Sequence, residues 1–187
     1  MTDNNSQSPS WEYDNLVHGY WVVPGRFLAT EYPGHKTVDK ARRKLSALIE
    51  AGVTSFVDLT EAGERTWDGS PMVPYDGLLP VDVTYRRFPI RDTSVIADDG
   101  YDEIIDHIQA ELDAGKVVSV HCWGGKGRTG TVVGAFLIDT EGLGYIEVID
   151  RMQELRAGSS KSDHPVPDTE EQHRVLRRRA QRNEAAE

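Results

Sequence analysis

The feature of the sequence that most constrains the fold is a short run of β-branched residues that leads directly into a glycine-rich segment. Residues 116–120, Lys-Val-Val-Ser-Val, have the composition of a strand in the middle of a buried parallel sheet. Residues 121–130 follow at once and place three glycines between Cys122 and Arg128. A helical pattern then runs over residues 129–139. A strand, a tight loop and a helix in this order are typical of an α/β protein.

The rest of the chain first alternates predicted strands with predicted helices and then contains helices only. Patterns of apolar residues predict further strands at 20–23, 26–29, 53–59 and 83–88, and further helices at 37–51, 99–114, 145–155 and 169–182. The expected fold class is therefore α/β, with a central, mostly parallel sheet flanked by helices. Residues 60–82 lack periodicity, and a loop of that length in a compact domain is more often functional than idle.

Length and composition predict one domain. We expect a flexible leader over residues 1–12, a single domain over 13–182 and a flexible tail over 183–187. No stretch approaches the roughly 18 consecutive apolar residues of a transmembrane helix, and the first ten residues do not resemble a signal peptide. We therefore expect a cytoplasmic protein without stable membrane insertion, and a monomer by default.

Charge and cysteine content exclude several other functions. The net charge of -10 argues against a nucleic-acid binder, although it leaves room for a small basic pocket. Cys122 is the only cysteine, and the histidines show no metal-binding spacing, so we expect no disulfide within the chain, no metal and no cofactor. Five arginines within residues 174–182 suggest a solvated helix face, with a docking patch as the alternative.

The chemistry of residues 121–130 indicates an anion-binding loop. We expect Gly124, Gly125 and Gly127 to let the backbone curl with its N–H groups turned inward, because glycine alone reaches the needed angles without steric cost. The start of the following helix adds positive potential. This environment favours the thiolate of Cys122, and the planar guanidinium of Arg128 suits two phosphate oxygens. We therefore predict attack by sulfur on phosphorus and a phosphocysteine intermediate. The predicted phosphate- and substrate-binding residues are Trp123, Gly124, Gly125, Lys126 and Gly127.

The Cys-x5-Arg segment, preceded by His121 and followed by Thr129 and Gly130, resembles the signature of protein-tyrosine and dual-specificity phosphatases. Residues 20–176 resemble compact microbial members of the dual-specificity group. The resemblance implies a tyrosine-phosphatase-like fold and hydrolysis of phosphate monoesters, first of protein phosphotyrosine, with phosphoserine and phosphothreonine as further substrates. It also implies that Thr129 assists the leaving thiolate and that His121 supports the thiolate through hydrogen bonds around the loop.

Two further residues are candidates for catalytic steps. Cleavage of a phosphate monoester needs an acid to protonate the departing oxygen, and Asp92 follows a predicted strand in a segment that resembles the general-acid loop of dual-specificity enzymes. Asp98 and Asp99 are alternatives, although their position also suits the start of a helix. Gln172 lies in a Thr-x-x-Gln segment that resembles the one whose glutamine orients the hydrolytic water in relatives, or it is an ordinary surface residue.

The substrate class stays open between two alternatives. A lysine at the position of Lys126 also occurs in relatives that act on phosphoinositides or inositol polyphosphates, but those enzymes usually carry a second lysine where this chain has Trp123. A phosphorylated protein is therefore the preferred partner, ahead of a phosphorylated small molecule.

The loop over residues 60–82 offers aromatic residues for a substrate wall. Trp67 and Tyr75, with Arg65, either stack on a phosphotyrosine ring or pack an ordinary surface loop. A non-catalytic phosphate-binding module is the alternative of another class, and it is expected to lack Cys122, Arg128 or Asp92.

Overall fold

The computed structural model describes residues 11–185. Within them, the strands are β1 Gly19–Val23, β2 Phe27–Thr30, β3 Ser55–Asp58, β4 Thr84–Arg87 and β5 Val118–His121. The helices are α1 Val38–Glu50, α2 Asp98–Asp113, α3 Gly127–Glu141, α4 Tyr145–Arg156 and α5 Glu170–Glu184, with a 3-10 turn at Asp76–Leu78. Each strand and helix expected from the sequence is present, with ends that differ by at most two residues.

The five strands form one sheet in the order β1-β2-β5-β3-β4. Only the β1–β2 pair is antiparallel, and β5 pairs in parallel with both β2 and β3. The expected α/β class with a mostly parallel sheet is thus confirmed. In the register of these pairs His121 lies beside Thr30 and Asp58, so the end of β5 is enclosed by the ends of its two neighbours.

Side chains alternate between the two faces of the sheet, and each face has its own core. Phe27 and Ala29 of β2 pack with helices α2 to α5, whereas Leu28 between them packs with α1 and the N-terminal segment. The same alternation separates Val57 of β3 from its neighbour Phe56. Because both faces are covered, β5 is buried along its whole length.

Packing extends beyond the expected domain limits at both ends. Trp11, assigned above to the leader, is buried, and its indole Nε1 donates a hydrogen bond to the carbonyl of Val17 at 2.7 Å. Burial of so large an apolar side chain outweighs the polar character of the residues around it. Helix α5 continues to Glu184, past the expected limit at residue 182. Residues 1–10 and 186–187, also expected to be flexible, lie outside the described part.

The arginine-rich helix α5 is paired with acidic residues of this chain. Arg179 is only 6% exposed and contacts the carboxylates of Asp139 on α3 and Asp102 on α2, so it departs from the solvated face expected above. Arg178 pairs with Asp98 and Arg182 with Asp102, but both arginines stay exposed, as expected for a solvated face. These ion pairs hold α5 against α2 and α3. No helix within residues 11–185 is long and apolar enough to cross a membrane.

Candidate active site

The candidate active site lies at the carboxyl end of β5, where a short loop joins the strand to α3. Gly125 adopts a φ of +73°, and a Cβ there would lie 2.8 Å from the carbonyl oxygen of Thr30. Both the angle and the close backbone approach require glycine. Gly124 has neither feature, so the expectation that every loop glycine needs a glycine-only angle is wrong for that position.

Gly127 does not have a positive φ, but two neighbouring side chains approach it closely. A Cβ at Gly127 would lie 2.8 Å from Oδ2 of Asp168 and 3.0 Å from the side-chain amide atoms of Gln172. The segment before α5 therefore packs directly on the start of α3. This contact places Asp168 and Gln172 beside the candidate nucleophile loop.

The loop has the properties of an anion site. The backbone amides of residues 123–126 donate to no backbone carbonyl within the described chain. Helix α3 begins directly after them, at Gly127, and its amino end carries the positive end of the helix dipole. Free amides and a helix amino terminus together attract an anion.

Arg128 is a buried cation whose guanidinium is fixed from three directions. It is 2% exposed, and its two terminal nitrogens donate to the carboxylate of Glu64 at 2.7 and 2.8 Å. One of them also donates to the carbonyl of Ile90 at 2.9 Å, and the other lies 2.9 Å from Oδ1 of Asp92. Burial opposes the charge, but the hydrogen bonds that Arg128 donates to Glu64, together with the nearby negative charges of Glu64 and Asp92, outweigh burial and raise the pKa of Arg128. Its Nε has no partner in the described chain.

His121 lies behind the loop and is fully buried. Its Nδ1 lies 3.2 Å from the carbonyl oxygen of Cys122, and its Nε2 lies 2.6 Å from the hydroxyl of Tyr75. Burial lowers the pKa of His121, although the charge of Asp58 opposes that shift. Since a carbonyl oxygen only accepts, we assign the proton of a neutral imidazole to Nδ1, with Tyr75 donating to Nε2.

Asp92 is the acidic candidate that the fold brings to the site. Its carboxylate is 61% exposed and lines the cavity beside Cys122. The next residue, Thr93, has a φ of +58°, and its hydroxyl donates to the carbonyl of Asp92 at 2.7 Å. Asp98 and Asp99, the alternatives, instead begin α2 and lie outside the cavity lining.

Gln172 is a buried residue, not a surface one. Its side-chain oxygen accepts hydrogen bonds from the backbone amides of Asp168 and Thr169 at 3.2 and 3.1 Å. Its side-chain nitrogen donates to the carbonyl of Ser94 at 3.4 Å, which leaves a second N–H for another partner. Thr129 is also buried, and its hydroxyl has no partner among the described residues.

One cavity of about 260 Å³ brings most of the expected site residues together. Its lining comprises Asp92, Thr93, Cys122, Trp123, Gly124, Lys126, Gly127, Arg128, Asp168 and Gln172. Gly125, His121 and Thr129 are outside this lining: Gly125 shapes the loop, His121 lies behind it and Thr129 is buried in the first turn of α3. The cavity therefore combines a thiol, two cations, two carboxylates and an amide in one small volume.

Three residues lie at or near the site in positions that the sequence does not predict. Glu64 lies in the aperiodic loop, whose length was its only signal. Asp168 directly precedes the Thr-x-x-Gln segment that drew attention to Gln172. Tyr75, expected as a substrate wall, is 1% exposed and hydrogen-bonded to His121, so it lies in the core. Trp67 lines a neighbouring cavity.

Comparison with known proteins identifies the class. The family model for "Polymorphic toxin system, DSP-PTPase phosphatase" matches residues 31–142. A tyrosine-protein phosphatase CDC14 from Candida albicans is 36% identical over 81 residues, which are 40% of this chain and 15% of that protein. A tyrosine-protein phosphatase of Autographa californica nuclear polyhedrosis virus is 30% identical over 120 residues, covering 62% of this chain and 66% of that protein.

A solved structure shows the same fold. Tk-PTP in its active form superposes with a TM-score of 0.65 at 25% identity, covering 88% of this chain and 97% of Tk-PTP. The fold and the comparisons thus place the chain in the cysteine-based dual-specificity phosphatase superfamily, although it spans only 15% of the Candida relative's length. Within it, the chain belongs to the DSP-PTPase phosphatase family of polymorphic toxin systems.

The ion pair between Arg128 and Glu64 predicts a measurable loss on substitution. Glu64→Gln keeps the shape but removes the charge that holds the guanidinium, so kcat/KM for an aryl phosphate should fall at least about tenfold, as a charged hydrogen bond is worth roughly 1.5–3 kcal/mol. Glu61→Gln, an exposed change in the same loop, is the matched control. Equal activity of the two folded variants would contradict the role of Glu64.

Proposed function

We propose that this protein hydrolyses phosphate monoesters on proteins, phosphotyrosine first and phosphoserine or phosphothreonine as further substrates, through a phosphocysteine intermediate on Cys122. The observation that carries this proposal is that Cys122, Arg128 and Asp92 line one cavity of about 260 Å³. A nucleophile, an anion-binding cation and an acid are the three groups that this reaction needs.

In the first step, the phosphoryl group binds to the loop amides and to the free Nε–H of Arg128. The sulfur of Cys122 attacks phosphorus, so that a sulfur–phosphorus bond forms as the ester bond between phosphorus and oxygen breaks. Asp92 donates its proton to the departing oxygen, which leaves as an alcohol or phenol. The charge that gathers on the phosphoryl oxygens is held by donors already in place.

In the second step, water replaces the substrate's alcohol. The free N–H of Gln172 orients the water, and Asp92, now ionised, accepts a proton from it. Oxygen bonds to phosphorus, the sulfur–phosphorus bond breaks, and inorganic phosphate leaves. The hydroxyl of Thr129 donates to the departing thiolate, while His121 supports the loop through its contact with the carbonyl of Cys122.

The environment of Lys126 favours a substrate with a single phosphate. Its ammonium lies 3.4 Å from the carboxylate of Asp168, so its charge is already matched within the cavity. Arg128 is likewise matched by the carboxylate of Glu64. A head group with several phosphates needs surplus cations, and this balance supports phosphoproteins over the alternative, inositol polyphosphates.

The remaining alternative is a module that binds phosphate without cleaving it. Such a module has no use for an acid beside the thiol. The position of Asp92 in the cavity therefore supports the enzyme.

The direct test is turnover of a substrate panel under reducing conditions. Wild-type protein should hydrolyse p-nitrophenyl phosphate and phosphotyrosine peptides, and Cys122→Ser should lower kcat by at least about 10³-fold, as for other lost nucleophiles. The serine variant should still bind a phosphotyrosine peptide in calorimetry. Binding without turnover by the wild-type protein would instead establish the non-catalytic module.

The pH dependence tests Asp92 as the acid. A general acid acts in its protonated form, so activity falls as pH rises through its ionisation. Asp92→Asn cannot ionise and should therefore lose this alkaline limb, with the greatest loss of rate for alkyl phosphates, whose leaving groups need the proton most. Asp99→Asn is the control. An alkaline limb that persists in the first variant and vanishes in the second would assign the acid to Asp99.

Asp168→Asn tests the charge balance. Removing this carboxylate frees Lys126, so kcat/KM for inositol polyphosphates should rise severalfold relative to an aryl phosphate. Asparagine keeps the backbone amide that binds Gln172, and Asp163→Asn provides the same charge change outside the cavity lining. An unchanged ratio in Asp168→Asn would show that this carboxylate does not set the preference.

A further inference from the structure

A second cavity of about 280 Å³ adjoins the catalytic one. Trp123 and Gly124 line both cavities, so the two share a wall. The other walls come from the connection between β2 and α1, from the hairpin at residues 65–71 and from Lys161 after α4. A substrate whose phosphate occupies the catalytic cavity can therefore reach the second one by extending past Trp123 and Gly124.

The second cavity is basic on an acidic protein. Lys44 and Lys161 both pair with the single carboxylate of Glu31, at 2.7 and 2.8 Å. Burial opposes ionisation of Glu31, but the two lysines outweigh it and lower the pKa of that carboxyl. Lys36 pairs with Asp68 at 2.9 Å. The three lysines thus exceed the two carboxylates by one positive charge, while the whole chain carries -10.

An exposed indole lies at the rim of the same cavity. Trp67 is 90% exposed, although hydrogen bonds hold the hairpin tip that carries it. The carboxylate of Asp68 accepts hydrogen bonds from the hydroxyl of Thr66 and from the amide of Ser70. A tryptophan held in solvent at the edge of a cavity is typical of a recognition surface for another protein.

We propose that the second cavity binds the residues of a phosphoprotein that flank the phosphorylated side chain, with an acidic side chain at the surplus positive charge of Lys44 and Lys161. This inference rests on the proposed function. The shared wall at Trp123 supplies the continuity between the two cavities, the lysines supply the charge complementarity, and Trp67 covers the flanking peptide. The second cavity thus favours phosphorylated residues with acidic neighbours in the peptide over those with neutral neighbours.

The test compares two phosphotyrosine peptides that differ only in having glutamate or glutamine on both sides of the phosphotyrosine. Wild-type protein should favour the glutamate peptide severalfold in kcat/KM, mainly through KM. Lys44→Gln should move this ratio toward one, because Lys161 then only balances Glu31. Lys161 itself is a poorer choice, since it also donates to the carbonyl of Gly124 in the catalytic loop at 3.3 Å.

Arg43→Gln is the matched control, because it changes the net charge equally on the same helix but lies outside the cavity lining. It should keep the preference for the glutamate peptide. Trp67→Ala should raise KM for both peptides, each compared with p-nitrophenyl phosphate as the small reference substrate. Equal ratios in wild-type and Lys44→Gln protein, or a preference lost equally in Arg43→Gln, would overturn the inference.

The two proposals fail separately. Lack of turnover on every substrate would overturn the proposed function alone. The second cavity would then be tested by the Kd values of Cys122→Ser protein for the glutamate and glutamine peptides. A Lys44-dependent preference in Kd would still support the second cavity. Tighter binding of inositol hexakisphosphate than of the glutamate peptide, lost in Lys44→Gln, would assign the cavity to a small anion and overturn the peptide site.

Discussion

The paired hydrogen bonds between Arg128 and Glu64 are the interaction on which the site depends. A guanidinium with 2% exposure is costly unless its charge is matched, and Glu64 matches it through both terminal nitrogens. The carbonyl of Ile90 and the carboxylate of Asp92 complete the arrangement. Since Glu64 follows β3 and Asp92 follows β4, a single side chain joins two loops to the start of α3. The benefit is position, because buried ion pairs add little net stability.

The place of β5 in the sheet explains why these groups meet. Parallel neighbours on both sides bring the ends of β2 and β3 to the loop after His121, and β4 lies beside β3. His121 adds a second fixed point behind the loop through the hydroxyl of Tyr75. A central strand with a rigid loop at its carboxyl end is a recurrent position for ligand sites in α/β sheets.

Local sequence patterns predict those parts of the molecule that are determined by residues close together in the chain. The strand, loop and helix around Cys122 are adjacent in sequence, and the fold class followed from the alternation of strands and helices. Asp92 is predicted because it follows a strand in a segment that resembles the general-acid loop of dual-specificity enzymes. The positions of Glu64 and Asp168 depend instead on how two loops pack. Glu64 contacts Arg128 across 64 residues of sequence and Asp168 contacts Lys126 across 42, and no short pattern encodes that packing.

The structural roles of several individual residues could be determined only from the structure. Three glycines in the loop suggested three unusual backbone angles, yet Gly125 alone of them has a positive φ, and Gly127 is small because Asp168 and Gln172 occupy the space. The alternatives for Gln172 and Tyr75 were equally open in the sequence. Both residues are buried, which excludes an ordinary surface position for Gln172 and a place in the substrate wall for Tyr75.

The most direct measurement of the central claim is rapid acid quenching of wild-type protein during turnover of an aryl phosphate, followed by mass spectrometry of its peptides. A phosphocysteine mechanism predicts one phosphoryl group on the peptide that contains Cys122, appearing before steady-state release of phosphate and absent from Cys122→Ser. Steady hydrolysis with no phosphoryl group on that peptide at any quench time, or with the group on another residue, would contradict the account.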